Sequence, residues 1–532
     1  PEVHAEFMRT THEKYFERFG KDFGEHIPAI FTDEPYIGGG GVYSENIALP
    51  FSFWFANEFQ KRNGYSLTRN LPCVFKNVEG NLFDFPATKV RFDYYATIHE
   101  LFVKNYIEAT GKWCEEHGIN WTGHYLEHQW PHVGKNCSPS VQSYYEYHQW
   151  PAIDLLRSHC LRDHSIHSLV HTFRELRSAV NQFGKERSLC ELYGAGGWNS
   201  NFEDYKRMGD WVMVNGVNFI NQHLVYSTIA GARKRDHPQS FDWREAWWDE
   251  YTEMNHYQAR LSYLLSQGKM QQRILVINPS TTGYLVPQSA ESGGIEGIHS
   301  VDAVKNPDMT NFLTLSQKLT DWQWDFDYGD EYTLARHAKT ENGALKVIKQ
   351  KYDCVILSGD TKNLLSSTAD LIKECGKAGV KMIAVGEPGP YIDGIESKEV
   401  YNGLSQNWDN IELDSLDKYL GTLLTRRINA TVDFPEGVAH MRRKLEDGNE
   451  LWFFVNHALE KYSADVTIEG GSVKQLDLFT GEDKVFAHKP EEGLVTFPLS
   501  LCRNQSIMLM ITKLRLRGCH YVKKRIRLWR LI

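Results

Sequence analysis

Three short apolar runs near the start of the chain each end in a carboxylate and then break into glycine, proline or aromatic residues. They are IPAIFTDEP at 27–35, INWTGHYLEH at 119–128 and RSLCELYGAGGW at 187–198. An apolar run bounded by such residues is typical of a buried parallel strand, and the amphipathic stretches between the runs predict helices. The pattern therefore predicts alternating strands and helices, with carboxylates at the carboxyl ends of the strands.

The alternation continues to about residue 267. Helices are predicted over 2–19, 87–117, 165–183 and 247–267, and PAIDLL at 151–156 and GVNFINQHLVY at 216–226 add two further strands. Five strand–helix units over residues 1–272 predict a partial (β/α)8 TIM-type barrel that lacks about three of the usual eight units. Because the first predicted helix leads straight into a carboxylate-bearing strand, we expect the N-terminal part of the barrel to be missing.

The remaining residues predict two further domains and a tail. Residues 273–435 alternate buried strands such as YDCVILSG with helices, which predicts a small doubly wound, flavodoxin-like α/β domain without a G-x-G-x-x-G loop. Residues 436–513 alternate apolar and polar positions between turns, as in a β-sandwich. Residues 514–532 are basic and lack acids, so we predict a disordered tail.

Composition excludes several classes of function. The net charge of −9 argues against nucleic-acid binding, and no apolar run is long enough to span a membrane. Nine cysteines without a CxxC pair predict free thiols and no disulfide framework. Fifteen tryptophans suit either packed cores or sugar stacking. Neither localisation nor oligomeric state follows from the sequence.

The three carboxylates that follow the runs are the strongest chemical signal. Glu34, Glu127 and Glu191 lie far apart in sequence, but the ends of parallel barrel strands meet at one face, so we expect them to share a pocket. Two carboxylates that flank a glycosidic bond suffice for its hydrolysis. For each glutamate alone a salt bridge or a cap is the favoured interpretation; together, at the same ends of strands, they favour the functional one. Asp33 is adjacent to Glu34 and points to the opposite side.

His124-x-x-Glu127-His128 also matches the inverted zinc-peptidase pattern. Zinc binding by that pattern needs both histidines on one helix face, whereas the preceding residues predict a strand, on which they would stand about 13 Å apart. We therefore favour His124 and His128 as hydrogen-bonding partners of sugar hydroxyls and keep a zinc metallopeptidase as the weaker alternative.

Further candidates for substrate binding surround the same predicted barrel mouth. Alternation places the polar residues of the last strand on one face, Trp198 offers a stacking surface, and a charged loop follows; the candidates are Trp198, Asn221, His223, Arg233, Arg235 and Asp236. A core position for Trp198 and a solvated surface for the loop are the structural alternatives.

Longer motifs of the first 290 residues resemble glycoside hydrolase family 106, the α-L-rhamnosidase-like proteins. They are FTDEP, TGHYLEH, ELYGAGGWNSNFEDYKRMGDW, GVNFINQHLVYSTIAGARKRDHPQSF and YQARLSYLLSQG. The resemblance implies a bacterial enzyme of polysaccharide degradation with a (β/α)8 barrel, which cleaves terminal α-linked rhamnose with inversion and uses calcium. It makes Glu34 the candidate acid, Glu191 the candidate base, and Glu127 an alternative catalytic group or a calcium ligand.

We therefore expect a glycoside hydrolase, an inverting α-L-rhamnosidase acting on terminal rhamnose of plant or microbial glycans. At least one pair among the three glutamates should lie roughly 6.5–9.5 Å apart, the separation that inversion requires. We expect calcium and no bound zinc. A catalytically inactive carbohydrate-binding remnant is the second hypothesis, because a barrel without three strands loses walls of its substrate site.

Overall fold

The computed structural model describes residues 1–35, 37, 49–75, 81–82, 85–125, 141–156, 170–235, 241–286 and 310–513. The chain forms an α/β structure with several sheets, and its first sheet is a parallel half-barrel. Within these residues, none of the helices combines the length and apolar character needed to cross a bilayer.

The described residues of the first part of the chain form seven short strands. They are β1 (Ala29–Thr32), β2 (Asn81–Leu82), β3 (Phe85–Pro86), β4 (Asn120–Gly123), β5 (Trp150–Leu155), β6 (Leu189–Leu192) and β7 (Phe219–Gln222). Five of them form one sheet in the order β1-β4-β5-β6-β7, and every neighbouring pair is parallel. Because all five strands run in the same direction, their carboxyl ends lie along the same edge of the sheet.

Helices connect and flank these strands. They are α1 (Glu2–Thr10), α2 (His12–Phe19), α3 (Phe53–Asn63), α4 (Leu67–Asn70), α5 (Pro72–Phe75), α6 (Ala87–Phe102), α7 (Glu108–Glu116), α8 (Val170–Phe183), α9 (Phe202–Val214) and α10 (Tyr251–Ser266). Two of the predicted helices are divided. Residues 2–19 form two helices that meet at Thr11, and 87–117 is interrupted by a π-helical segment, Val103–Ile107.

The second part contains a parallel sheet with small antiparallel additions. Its strands are β8 (Ile274–Ile277), β9 (Phe326–Gly329), β10 (Ala338–Glu341), β11 (Ala344–Val347), β12 (Gln350–Tyr352), β13 (Cys354–Ser358), β14 (Asn363–Leu364), β15 (Lys381–Val385), β16 (Tyr391–Ile392), β17 (Ile395–Glu396) and β18 (Asp409–Asn410). Its helices are α11 (Thr310–Asp321), α12 (Glu331–His337), α13 (Ser366–Ala378), α14 (Lys398–Leu404) and α15 (Leu413–Leu423). The parallel sheet has the order β18-β15-β13-β8-β9, and apolar side chains cover both of its faces, as in doubly wound folds.

The third part consists of two antiparallel sheets. Its strands are β19 (Ile428–Ala430), β20 (Val438–Lys444), β21 (Glu450–Asn456), β22 (Tyr462–Glu469), β23 (Ser472–Leu476), β24 (Asp483–Val485), β25 (Lys489–Glu491), β26 (Leu494–Leu501) and β27 (Ser506–Thr512). The sheets have the orders β19-β22-β26-β25 and β20-β21-β27-β23-β24, and one apolar core contains side chains of both. Residues 514–532 lie outside the described residues, so the predicted disorder of the tail stays a prediction.

The sheet β20-β21-β27-β23-β24 of the third part packs against helices of the half-barrel. Met208 and Trp211 of α9 and Tyr257 of α10 belong to the same apolar cluster as Phe453 of β21 and Met508 of β27. Helices that support the half-barrel therefore share a core with the sandwich.

Candidate active site

Charged side chains gather along the edge formed by the carboxyl ends of the half-barrel strands. Asp33 and Glu34 follow β1, His124 follows β4, and His223 follows β7. Asp154 and Glu191 lie near the ends of β5 and β6, where their Cα atoms are register partners, and Glu191 is in turn paired with Asn221 of β7. Register partners on parallel strands face the same side of a sheet, so these three side chains form a lateral row.

Gly123 allows β4 to approach β1 closely at this point. Gly123 has a φ of +140°, and a Cβ there would stand 2.1 Å from the Thr32 carbonyl oxygen. The Trp121 indole N–H donates to the Thr32 hydroxyl oxygen over 3.0 Å, which ties β4 to β1. This close approach sets His124 beside both Asp33 and Glu34. The expectation that these two acids point to opposite sides is therefore wrong, because the backbone is not extended at Glu34, whose φ is +50°.

His124 lies at the centre of the charged cluster, and its side chain is only 1% exposed. Its Nε2 lies 3.3 Å from Asp33 Oδ1, 3.8 Å from Glu34 Oε1 and 3.8 Å from Asp154 Oδ2. Its Nδ1 lies 3.9 Å from Glu191 Oε2, whose other oxygen is 3.8 Å from His223 Nε2. The buried imidazole of His124 therefore has carboxylates next to both of its nitrogens.

The ionisation of these groups follows from burial and mutual charge. Burial alone would lower the pKa of His124, but the surrounding carboxylates outweigh it and the pKa is raised. The contact with His124 lowers the pKa of Asp33, whereas burial raises the pKa of Glu191 and raises that of Asp154 to about 7. Perturbed groups gathered in one place are typical of functional sites.

Backbone strain occurs next to the same carboxylates. Glu34 has a φ of +50°, and Tyr193 and Ala195, just after β6, have φ values of +77° and +50°. Such conformations cost about 1–3 kcal/mol each for residues other than glycine and concentrate at functional sites.

The other predicted residues have varied positions. Trp198 is 37% exposed and donates its indole N–H to the Lys234 carbonyl oxygen, so it is a surface residue and not a core residue. Arg235 is exposed next to this contact. Glu127, His128, Asp236 and the side chain of Arg233 lie outside what the structure describes.

Asp154 is the residue that the sequence interpretation missed. It lies inside PAIDLL, between the core residues Ile153 and Leu155, and the sequence pattern predicts that run only as a strand. A carboxylate inside an otherwise apolar strand was the available signal, because alternation places it on the face opposite its apolar neighbours.

Asp33, Glu34 and His124 have the spacing of metal ligands, with one donor atom from each lying within 4.8 Å of the others. Calcium, which the family resemblance implies, prefers oxygen ligands, so the two carboxylates fit it and the imidazole does not. The zinc-peptidase pattern is not favoured, because His124 follows directly from a strand and not from a helix.

A parallel half-barrel with carboxylates at the carboxyl ends of its strands places this cluster where (β/α)-barrel enzymes have their active sites. The chain belongs to glycoside hydrolase family 106, described as α-L-rhamnosidase, whose model matches residues 2–281, more than half of the chain. The family expected from the sequence motifs is thus confirmed. No curated protein sequence matches the chain.

Solved structures support the same fold. A rhamnosidase from Novosphingobium sp. PP1Y superimposes with a TM-score of 0.72 at 16% identity, over 97% of this chain and 48% of that one. β-Galactosidases from Bacillus circulans sp. alkalophilus and from the psychrophilic Marinomonas ef1 each give a TM-score of 0.58, at 10% and 9% identity. They are matched over 93% and 96% of this chain and 81% and 83% of theirs. The chain spans about half the length of the Novosphingobium rhamnosidase.

Proposed function

We propose that this chain carries the catalytic centre of an inverting α-L-rhamnosidase acting on terminal α-linked rhamnose of plant or microbial glycans. The supporting observation is that Glu34 and Glu191 contact different nitrogens of one imidazole, that of His124. The nearest oxygens of the two carboxylates are therefore at most about 10 Å apart, close enough to act on one glycosidic bond. This bound includes both the roughly 6.5–9.5 Å of inverting enzymes and the roughly 5–5.5 Å of retaining ones, so inversion is proposed from the family resemblance.

The environments of the two glutamates suit different roles. The Glu34 side chain is 40% exposed, as suits an acid that must reach the oxygen of a leaving sugar. The Glu191 side chain is 8% exposed, and burial raises its pKa, which suits a base that activates water at a working pH closer to neutral. Glu127 remains the alternative acid.

The sugar itself would contact residues around this pair. In this proposal Asn221 and His223 offer hydrogen bonds from β7 and the segment after it, and Trp198 offers an exposed aromatic face. His128, Arg233, Arg235 and Asp236 remain candidates from the neighbouring loops. His124 is too buried to bind hydroxyls, so we assign it to holding the carboxylates.

Calcium is part of the proposal through the family resemblance. Asp33 would supply a carboxylate oxygen, and Glu127 is the ligand that the resemblance names. Glu34 stays outside this ligand set, because as the acid it must carry a proton. A bound calcium ion would offset part of the negative charge at the site and attract sugar hydroxyls. The remaining chemistry needs only the chain's own acid and base.

Paired substitutions test the assignment of roles. Glu34→Gln removes the transferable proton, so hydrolysis of a natural rhamnosyl disaccharide should fall about 10²–10⁴-fold, while an aryl rhamnoside with a good leaving group should lose much less. Glu191→Gln should slow both substrates alike, because each needs an activated water. Glu253→Gln, an exposed change on α10, is the matched control.

The product anomer tests inversion. Proton NMR during turnover should show β-rhamnose first, and initial release of α-rhamnose would refute inversion. Equal losses of activity on both substrates for Glu34→Gln would show that Glu34 is not the acid, and Glu127 would then be the proposed acid. Sugar binding without turnover by the wild-type chain would favour the carbohydrate-binding remnant.

A further inference from the structure

The geometry points to Asp154 as a further positioning residue of this centre, one that holds His124 and, through it, Glu191 in place. The inference rests on the proposed function, because it adds a residue to the same site. None of the sequence motifs singled out this aspartate.

Asp154 is fixed more firmly than the other carboxylates at His124 Nε2. It lies within the hydrogen-bonded strand β5, and its side chain is 21% exposed. Asp33 and Glu34 follow the end of β1, with side chains that are 74% and 40% exposed. A carboxylate on a paired strand has fewer accessible conformations, so it can set the orientation of a neighbouring ring.

No structural role explains this carboxylate. Its buried Oδ1 has no hydrogen-bond partner among the residues that the structure describes. Its register neighbour is another carboxylate, Glu191. A buried acceptor without a donor and a like charge alongside both disfavour the folded state. An unpaired oxygen alone does not mark a functional group, because the Oδ1 of Asp327 also has no partner among the described residues. For Asp154 the neighbouring carboxylate and the contact with His124 together point to a role other than stability.

Asp210 shows what a structural buried aspartate looks like in the same half-barrel. It is 1% exposed, and its two oxygens accept hydrogen bonds of 2.6 Å from the Tyr257 hydroxyl and from the Lys206 ammonium. Asp154 has His124 Nε2 at 3.8 Å, and the opposite nitrogen of that ring faces Glu191 at 3.9 Å. The ring therefore connects Asp154 to the proposed base.

This arrangement predicts a particular kinetic effect. Asp154 contacts the imidazole and not the sugar in this proposal, so its loss should misplace Glu191 during water activation while leaving sugar binding intact. Loss of an outer residue that orients a ligating group costs 10–100-fold in metal sites, and we expect a loss of the same order from this charge contact. The loss should fall on kcat, with KM within about twofold of the wild-type value.

The experiment compares Asp154→Asn and Asp154→Ala with the matched control Asp210→Asn. We expect both Asp154 variants to lower kcat on an aryl rhamnoside about 10–100-fold and to unfold in urea at a midpoint equal to or above that of the wild type. Asp210→Asn should do the reverse, with a lower unfolding midpoint and an unchanged kcat.

Unchanged kcat in the Asp154 variants would overturn the inference alone. A kcat loss accompanied by a lowered unfolding midpoint, as expected for the control, would also overturn it, because it would assign Asp154 a structural role. Absence of turnover by the wild-type chain on every α-L-rhamnoside tested would refute the proposed function and this inference together.

Discussion

Two aspartates, Asp154 and Asp327, have similarly raised pKa values in different surroundings. Burial raises the pKa of each to about 7. Asp327 lies on β9 of the second parallel sheet, and its Oδ2 accepts hydrogen bonds from the Asn181 amide of α8 and from the Tyr352 hydroxyl. Asp154 faces the carboxylate cluster instead. The groups that surround the carboxyl group, and not its pKa, distinguish a structural aspartate from a functional one.

The pKa of Asp327 predicts how stability depends on pH. Its folded pKa of about 7 lies above the unfolded value of about 3.9, so the folded state favours the protonated form and loses stability as the pH rises from about 4 to 7. Asp327→Asn stays neutral. Between pH 4.5 and 7.5 its free energy of unfolding should rise relative to the wild type by on the order of 2 kcal/mol.

Urea unfolding at the two pH values measures this change. Asp370→Asn, at a position 70% exposed, is the control and should show no pH-dependent difference from the wild type. Parallel pH profiles for Asp327→Asn and the wild type would contradict the prediction.

Metal binding provides a second prediction at the residue scale. Purified protein should contain calcium and no zinc, and chelation should lower its thermal midpoint until calcium is restored, because calcium would bridge otherwise repelling carboxylates. Asp33→Asn should weaken the calcium-dependent shift. Elemental analysis and thermal unfolding measure both effects.

The control for the metal experiment is Asp22→Asn, which changes an acid before β1. Its calcium-dependent shift should equal that of the wild type. Stoichiometric zinc, or a midpoint that does not respond to calcium, would contradict the calcium assignment.

The sequence located part of this site because its residues follow strong strand signals. Glu34 and Glu191 both come at the end of apolar runs, and the structure brings both to His124. Asp154 does not come at the end of an apolar run, because Leu155 follows it inside the run. The contact of His124 with carboxylates from three other strands depends on register, which no local pattern specifies.

At the scale of elements, the parallel strands were predictable and the helix interruptions were not. The strands carry apolar runs bounded by glycine, whereas the π-helical segment at Val103–Ile107 lies inside an uninterrupted amphipathic pattern. The antiparallel strands β10 to β12 were missed as well. Their outward positions are polar, and Lys339 and Lys346 are cross-strand partners, so the apolar content of these strands is low.

Gly123 provides the prediction for the strand pair that carries the site. In Gly123→Ala the new methyl group would clash with the Thr32 carbonyl, so β1 and β4 must separate, and we expect a loss of about 2–4 kcal/mol in unfolding free energy. Activity should fall as well, because His124 and Glu34 move with these strands. Urea unfolding and rhamnoside hydrolysis measure the two effects.

Gly118→Ala is the matched control for that change. Gly118 also has a positive φ, +66°, but a Cβ there meets nothing within 4 Å. Only the cost of the left-handed conformation remains, about 1–2 kcal/mol, and activity should be retained. Equal effects of the two substitutions would show that the approach of β4 to β1 is not critical.

At the scale of the whole molecule, the sandwich and the half-barrel are joined through polar as well as apolar contacts. The Tyr257 hydroxyl donates to Asp210 and lies 3.0 Å from the Ser506 hydroxyl, and the Lys206 ammonium donates to both Asp210 and Ser506. Tyr257→Phe leaves buried acceptors short of a donor, so unfolding free energy should fall by about 1–3 kcal/mol. Thermal unfolding measures the change.

Tyr15→Phe is the control for this contact, because Tyr15 is 61% exposed and its loss should change unfolding free energy by less than about 0.5 kcal/mol. We also expect Tyr257→Phe to expose the sandwich to limited proteolysis before the half-barrel unfolds. A variant as stable as the control would show that the apolar contacts alone hold the two parts together.

The lateral row of Asp154, Glu191 and Asn221 has a consequence for redesign. Moving a carboxylate between these register partners displaces it sideways by about 4.8 Å at constant depth in the pocket, without changing any backbone. That step is close to the upper limit of the difference between the carboxylate separations of inverting and retaining glycosidases, which is about 1–4.5 Å. On such a scaffold, the strand that carries the carboxylate would set its separation from the partner carboxylate. Exchanging two side chains by directed evolution could therefore change the stereochemical outcome.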